Sequence, residues 1–190
     1  MEDVKRGVLE SIFENVNKWL QWGEAKNAAI FAGNIALLIG IQSVIFDNQC
    51  AKSNLYTISL SAGIVLIVLS SLACLVSFYP RLTKVTQFKK QDSNSNSESN
   101  TKSNDIFFVD CSKYESGQEY LDALVNKLHG EISDETKQPI PSIENDYACE
   151  IITNSKICNF KYRCFRASSL LCFTGILCFG LSQIFKLLRI

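Results

Sequence analysis

The residues with chemistry to offer gather where polar sequence meets apolar sequence. Glu24, Lys26 and Asn27 stand immediately before one long uncharged run, Arg81 follows a second, and Lys161, Tyr162 and Arg166 precede a third. Asn154 and Lys161 are seven residues apart and share a helix face, while Tyr162 and Arg166 share a neighbouring one. Amide, aromatic and cationic groups together can hold a phosphate and stack on a base. The same charges also suit plain anchoring to anionic headgroups, and spacing leaves both readings open.

Catalysis finds little footing. There is no phosphate-binding glycine loop, no nucleophile elbow and no His-Glu-x-x-His, and His129 is the one histidine. It closes a predicted helix and reads as a C-terminal capping cation or an exposed residue. The eight cysteines include no Cys-x-x-Cys, and Cys74, Cys172 and Cys178 fall in apolar runs, so they read mostly as small hydrophobes. We expect no enzyme, no metal and no cofactor. Nineteen basic residues balance nineteen acidic ones, which leaves no global field for nucleic acid.

The elements that position these groups are membrane spans. Asn27 to Phe46 are twenty uncharged residues, about the length a helix needs to cross a hydrocarbon core of roughly 30 Å. Trp19 and Trp22 precede them, as interfacial aromatics do. Residues 55–79 form a second span, closed by Phe78, Tyr79 and Pro80, and 167–185 form a third. The expected fold is an all-α membrane protein: a two-span N-terminal helical hairpin, a cytoplasmic helical region and a third, C-terminal span. The first residues lack the pattern of a cleavable signal, so these segments are expected to be retained.

Around the spans, residues 1–26 read as an amphipathic helix through Val8, Leu9, Ile12, Phe13, Val16 and Leu20, packing on other helices rather than on lipid. The Ser/Asn-rich stretch 91–104 reads as a flexible linker, and 105–166 as a helical sensor region. Within it, 105–109 is either a strand or a plug of aromatic side chains. Ser116 and Glu119 form a capping box for a helix that buries Tyr120, Leu121, Leu124, Val125 and Leu128 and stops near Gly130. After Pro139 and Pro141 a helix from about Ser142 runs directly into the third span.

In the first span Ala29, Gly33, Ala36 and Gly40 make a stripe of small residues, fit either for packing on the second span or for an oligomer seam or pore lining. Asn34 and Gln42 need partners on a neighbouring helix. Basic residues predict that the N-terminus and 80–166 are cytoplasmic, with Lys186 and Arg189 beyond the third span as a mild violation.

The order of several motifs resembles a known family. Trp19-x-x-Trp22-Gly23-Glu24-Ala25-Lys26-Asn27-Ala28 opens a span and Phe78-Tyr79-Pro80-Arg81-Leu82 closes the next. Ile106-Phe107-Phe108 and Glu119-Tyr120-Leu121 follow, then Glu150, Asn154-Ser155, Ile157 and Lys161-Tyr162 lead into the last span. Together they resemble the bacterial Pycsar effectors over nearly the whole chain. That resemblance implies a multi-pass inner-membrane protein that senses cyclic CMP or cyclic UMP from a partner pyrimidine nucleotide cyclase during phage infection and impairs the membrane. It implies membrane lipid and a homo-oligomer as partners, no nucleic acid, and Lys26, Arg81, Tyr120, Asn154, Lys161 and Tyr162 as ligand or subunit contacts. The rival readings are a constitutive structural or scaffolding membrane protein and a pore-forming effector gated by another signal.

Overall fold

The computed structural model describes residues 2–47, 54–79, 106–129 and 142–188. Arg81, the 91–104 linker, the turn around Lys52 and the loop with Pro139 and Pro141 lie outside the described residues, as do Arg189 and the side chains of Leu128 and His129. Five helices follow in order: α1 Glu2–Asp47, α2 Asn54–Phe78, α3 Phe108–Cys111, α4 Gly117–His129 and α5 Ser142–Leu188. No strand occurs among the described residues. Neither α1 nor α5 contains a proline, so nothing in them removes a backbone donor. At 1.5 Å per residue the 46 residues of α1 reach about 69 Å, well over twice a hydrocarbon core.

Two compact units result, Met1–Gln21 with Arg81–Asn159 and Trp22–Pro80 with Phe160–Ile190. In the first, the amphipathic stripe of α1 buries Leu9, Ile12 and Val16. Phe108 and Cys111 of α3, Tyr120, Leu121 and Leu124 of α4, and Ile151, Ile152 and Cys158 of α5 are buried with them in this unit. Of the 105–109 segment, the described residues 106–109 form an aromatic plug leading into the single turn of α3: the Phe107 and Phe108 rings lie 4.7 Å apart and the Trp19 ring packs on both, at 6.1 and 5.8 Å. Trp19 is thus held by protein, whereas Trp22, in the other unit, is 64% exposed. The α4 N-terminus is capped as its sequence predicts, Glu119 N–H donating to Ser116 Oγ at 3.2 Å, with Glu119 Oε2 accepting from Glu115 N–H rather than from Ser116 itself. Gly117 lets this end lie against α5, since a Cβ there would fall 2.8 Å from Asn145 Oδ1 and from Cys149 Sγ.

The second unit is turned inside out relative to a soluble domain. Asn27, Asn34, Ser70, Ser77, Ser168 and Ser182 are buried, while Ile35, Ile39, Val65, Leu69, Leu72, Leu170, Phe173, Leu177 and Leu181 face outwards. In water that surface would be an aggregation liability; in lipid it costs nothing, and the polar groups must then bond to one another. α1, α2 and α5 each contain a stretch long and apolar enough to cross a membrane. The protein is an all-α membrane protein. Gly63 and Gly175 bring α2 and α5 into backbone contact, for a Cβ on Gly63 would meet Gly175 O at 3.0 Å. Ile41, Tyr56, Leu60 and Ile67 fill the α1–α2 side with Leu37, Leu38, Ile64 and Phe179 packed around them.

Candidate functional site where the spans begin

Within the second unit the polar residues before the first and third apolar runs form one cluster. Gly23 makes the approach possible: a Cβ there would lie 3.3 Å from Tyr162 Cε2 and 3.6 Å from Lys161 Cβ. Four residues on, along the same face of α1, Asn27 is fully buried, and its Nδ2 donates to Gly23 O at 2.9 Å and across the helices to Lys161 O at 3.2 Å. Lys161 in turn extends its ammonium to Glu24 Oε1 at 2.7 Å. Lys26 Nζ sits over two ring faces, 5.1 Å from the Tyr162 centroid and 5.6 Å from that of Phe165. The electrostatic balance is two cations against one carboxylate, with aromatic faces beside them.

One layer deeper, Asn34 Nδ2 donates to Ser70 Oγ at 2.8 Å and Ser70 Oγ donates to Ser168 O at 2.7 Å. This chain of two hydrogen bonds ties all three spans. The spacing is regular: Asn27 and Asn34 are seven apart on α1, and Lys161 and Ser168 seven apart on α5. Two helical turns separate the layers, so both amides face inwards.

Glu24, Lys26, Asn27, Lys161 and Tyr162 therefore meet in one place, and Arg166 stands exposed one turn beyond Tyr162. Tyr120 and Asn154 belong to the other unit. Tyr120 is fully buried with its ring 5.2 Å from that of Tyr114, and Asn154 Nδ2 donates to Asn17 Oδ1 at 3.0 Å. Ala29, Gly33, Ala36 and Gly40 are exposed, and nothing lies within 4 Å of where a Cβ would sit on either glycine. Sequence reasoning gave no site role to Gly23, although it lies in the motif before the first span, nor to Asn17, Phe165, Ser70 and Ser168. A Gly-x-x-x-Asn pair on α1 and serines at helical spacing in an apolar span were the available signals.

A family model for the Pycsar effector protein domain matches residues 8–186. The chain belongs to the Pycsar effector family. The match runs from the first turns of α1 almost to the end of α5, so the Pycsar effector domain includes both units and the whole of the cluster. Comparison with curated proteins and with solved structures found no match.

Among the described residues no group of histidine, cysteine or acidic side chains is disposed to hold a metal ion. The cluster presents two ammonium groups, a buried amide and two ring faces on adjacent turns of α1 and α5.

Proposed function

We propose that this Pycsar effector is a non-catalytic, multi-pass protein of the bacterial inner membrane. It binds cyclic CMP or cyclic UMP made by a partner pyrimidine nucleotide cyclase during phage infection and then impairs membrane integrity. The sensor region lies on the cytoplasmic side, the working form is a homo-oligomer in lipid, and no cofactor or nucleic acid takes part.

The observation that carries this reading is the Glu24–Lys161 pair beside Lys26 and the Tyr162 ring. A cyclic phosphate presents an anion that competes with Glu24 for Lys161 and draws Lys26 off its ring faces, while a pyrimidine supplies the flat partner those rings then lack. Ligand binding thus changes α1–α5 contacts at the point where both helices begin their apolar runs. A ligand shifts an equilibrium only by binding two states differently, and exchanging one anion for another on Lys161 provides that difference. The open Ala29, Gly33, Ala36 and Gly40 face supports assembly, because small residues let helices of neighbouring copies approach closely.

The test is calorimetry on the detergent-solubilised full chain with cyclic CMP and cyclic UMP, beside membrane-potential recording in cells that express a pyrimidine cyclase. Heat with either nucleotide, abolished by Lys26→Gln with Tyr162→Ala, and cyclase-dependent depolarisation are expected. No heat with any cyclic nucleotide and an unchanged potential would leave the structural-protein reading standing.

A further inference from the structure

The buried polar side chains of the second unit follow one another in register. Asn27 of α1 bonds Lys161 O of α5, and seven residues further along both helices Asn34 reaches Ser168 O through Ser70. α1 and α5 therefore run parallel. Seven residues further again, Gly175 of α5 touches Gly63 of α2, so α2 runs against both. Ser77 lies seven residues from Ser70 towards the Asn27 level, and Ser182 seven beyond Gly175. Asn27, Asn34, Ser70, Ser168 and Ser182 are 0% exposed and Ser77 2%. The result is an inner polar column, interrupted about half-way by an apolar belt of Ile41, Leu60 and Ile67 with Leu38, Ile64 and Phe179 packed on it.

The hydrogen bonds fix both amides of the column. Asn27 Nδ2 donates to two carbonyl oxygens, Gly23 O and Lys161 O. Ser70 spends its one proton on Ser168 O, so towards Asn34 Nδ2 it can only accept. Asn27 Oδ1 and Asn34 Oδ1 are thus both buried acceptors on one face of α1, and among the described residues neither finds a donor and Ser77 Oγ finds no partner. Such atoms disfavour the packed arrangement and favour one in which water or a cation reaches them. Among the described residues the lipid-facing surface offers no comparable column. Ile35, Ile39, Val65, Leu72 and Phe173 are exposed there. The outward hydroxyls of Ser43, Ser61 and Thr174 are bonded to carbonyls of their own helices, and the outward Gln42 stands near the far end of its span.

We propose that this inner column lines the path by which small monovalent cations cross the membrane when the effector impairs it, and that the belt of Ile41 and Ile67 is its gate. The inference rests on the membrane-impairing part of the reading above and not on the identity of the nucleotide. The lining supplies oxygen acceptors that can replace part of a cation's hydration shell. Its amide protons are already committed, and the charge of Lys161 at the near end is matched by Glu24, so chloride finds little to hold it. An apolar belt keeps such a path dry while α2 stays packed on α1 and α5; parting α2 from them lets water through. The Ala29, Gly33, Ala36 and Gly40 face, on the outside, is left for contacts between copies.

Potassium release from proteoliposomes holding the full chain, without nucleotide, tests this. Ile67→Thr, which puts a hydroxyl into the belt, is expected to raise release by about threefold or more over wild type. Val65→Thr, at nearly the same depth but 55% exposed, is expected to leave it unchanged. Under a potassium chloride gradient the Ile67→Thr leak is expected to reverse close to the potassium equilibrium potential. Wild-type release from Ile67→Thr, an equal leak from Val65→Thr, or a reversal potential near zero overturns the proposal. Ile41→Thr, which opens the belt from α1, decides should Ile67→Thr fail to insert. Because the assay contains no nucleotide, a failure of nucleotide binding leaves a belt leak standing as support. Cyclase-dependent depolarisation with no leak from the belt variants overturns this inference alone.

Discussion

The Lys161 ammonium meets the Glu24 carboxylate at 2.7 Å with its own side chain only 11% exposed, while the Glu24 side chain is 50% exposed. The two partners of one ion pair thus sit in different solvents. Glu24 can rehydrate if its partner is lost; Lys161 has only its four-carbon stem with which to reach water.

An asymmetry in stability follows. Glu24→Gln, which leaves a mostly buried ammonium without its carboxylate, is expected to cost about 1–3 kcal/mol, and Lys161→Met under about 1 kcal/mol. Thermal unfolding of the two variants in detergent measures the difference. Equal losses would mean that Lys161 finds water unaided.

In the deeper layer, Ser70→Ala takes away the acceptor of the Asn34 amide and leaves a buried N–H, at a cost of about 1–2 kcal/mol. Adding Asn34→Leu removes the stranded donor as well. The double variant is therefore expected to be more stable than Ser70→Ala alone, as read by denaturant titration in mixed micelles. A double variant weaker than the single would show that Asn34 does more than meet Ser70.

Two pairs of glycines should separate folding from assembly. Gly175→Ala would bring a Cβ to 2.9 Å from Ile67 Cγ1 and 3.1 Å from Gly63 O, a backbone atom that cannot step aside. It is expected to lower the yield of folded protein and to destabilise it by about 1–3 kcal/mol. Gly33→Ala and Gly40→Ala meet nothing within 4 Å and should leave the protomer's melting temperature unchanged. Gly33→Leu with Gly40→Leu, at the same positions, is expected to reduce oligomers captured by crosslinking in membranes. Intact oligomers would remove α1 from the assembly seam.

In the first unit, Gly117→Ala places a methyl 2.8 Å from Asn145 Oδ1 and 3.0 Å from Asn145 O. The α4 N-terminus must lift from α5, and a loss of about 1–3 kcal/mol is expected. Ser116→Ala removes a single capping hydrogen bond and should cost about 1 kcal/mol. Hydrogen exchange of the α4 amides distinguishes them: Gly117→Ala should raise exchange along the helix, Ser116→Ala in its first turn.

By itself the sequence determined the all-α class, the three membrane-crossing stretches and the cap of α4, because each is encoded locally. A run of apolar residues, a Ser with a Glu three residues later, and helical stretches free of proline act over one to a few turns. Only the tertiary structure decided who meets whom. Lys161 and Glu24 are 137 residues apart, and nothing in either neighbourhood announces the other. The α4 stripe already placed Tyr120 on the buried face, but a helix stripe does not say what covers it, and the structure supplied that neighbour, the Tyr114 ring 5.2 Å away in the first unit. The two small-residue sets in the spans look alike in sequence, yet Gly63 and Gly175 touch while Gly33 and Gly40 stand open. The rotation and register of each helix about its axis make that choice, and they depend on the sum of contacts along its whole length.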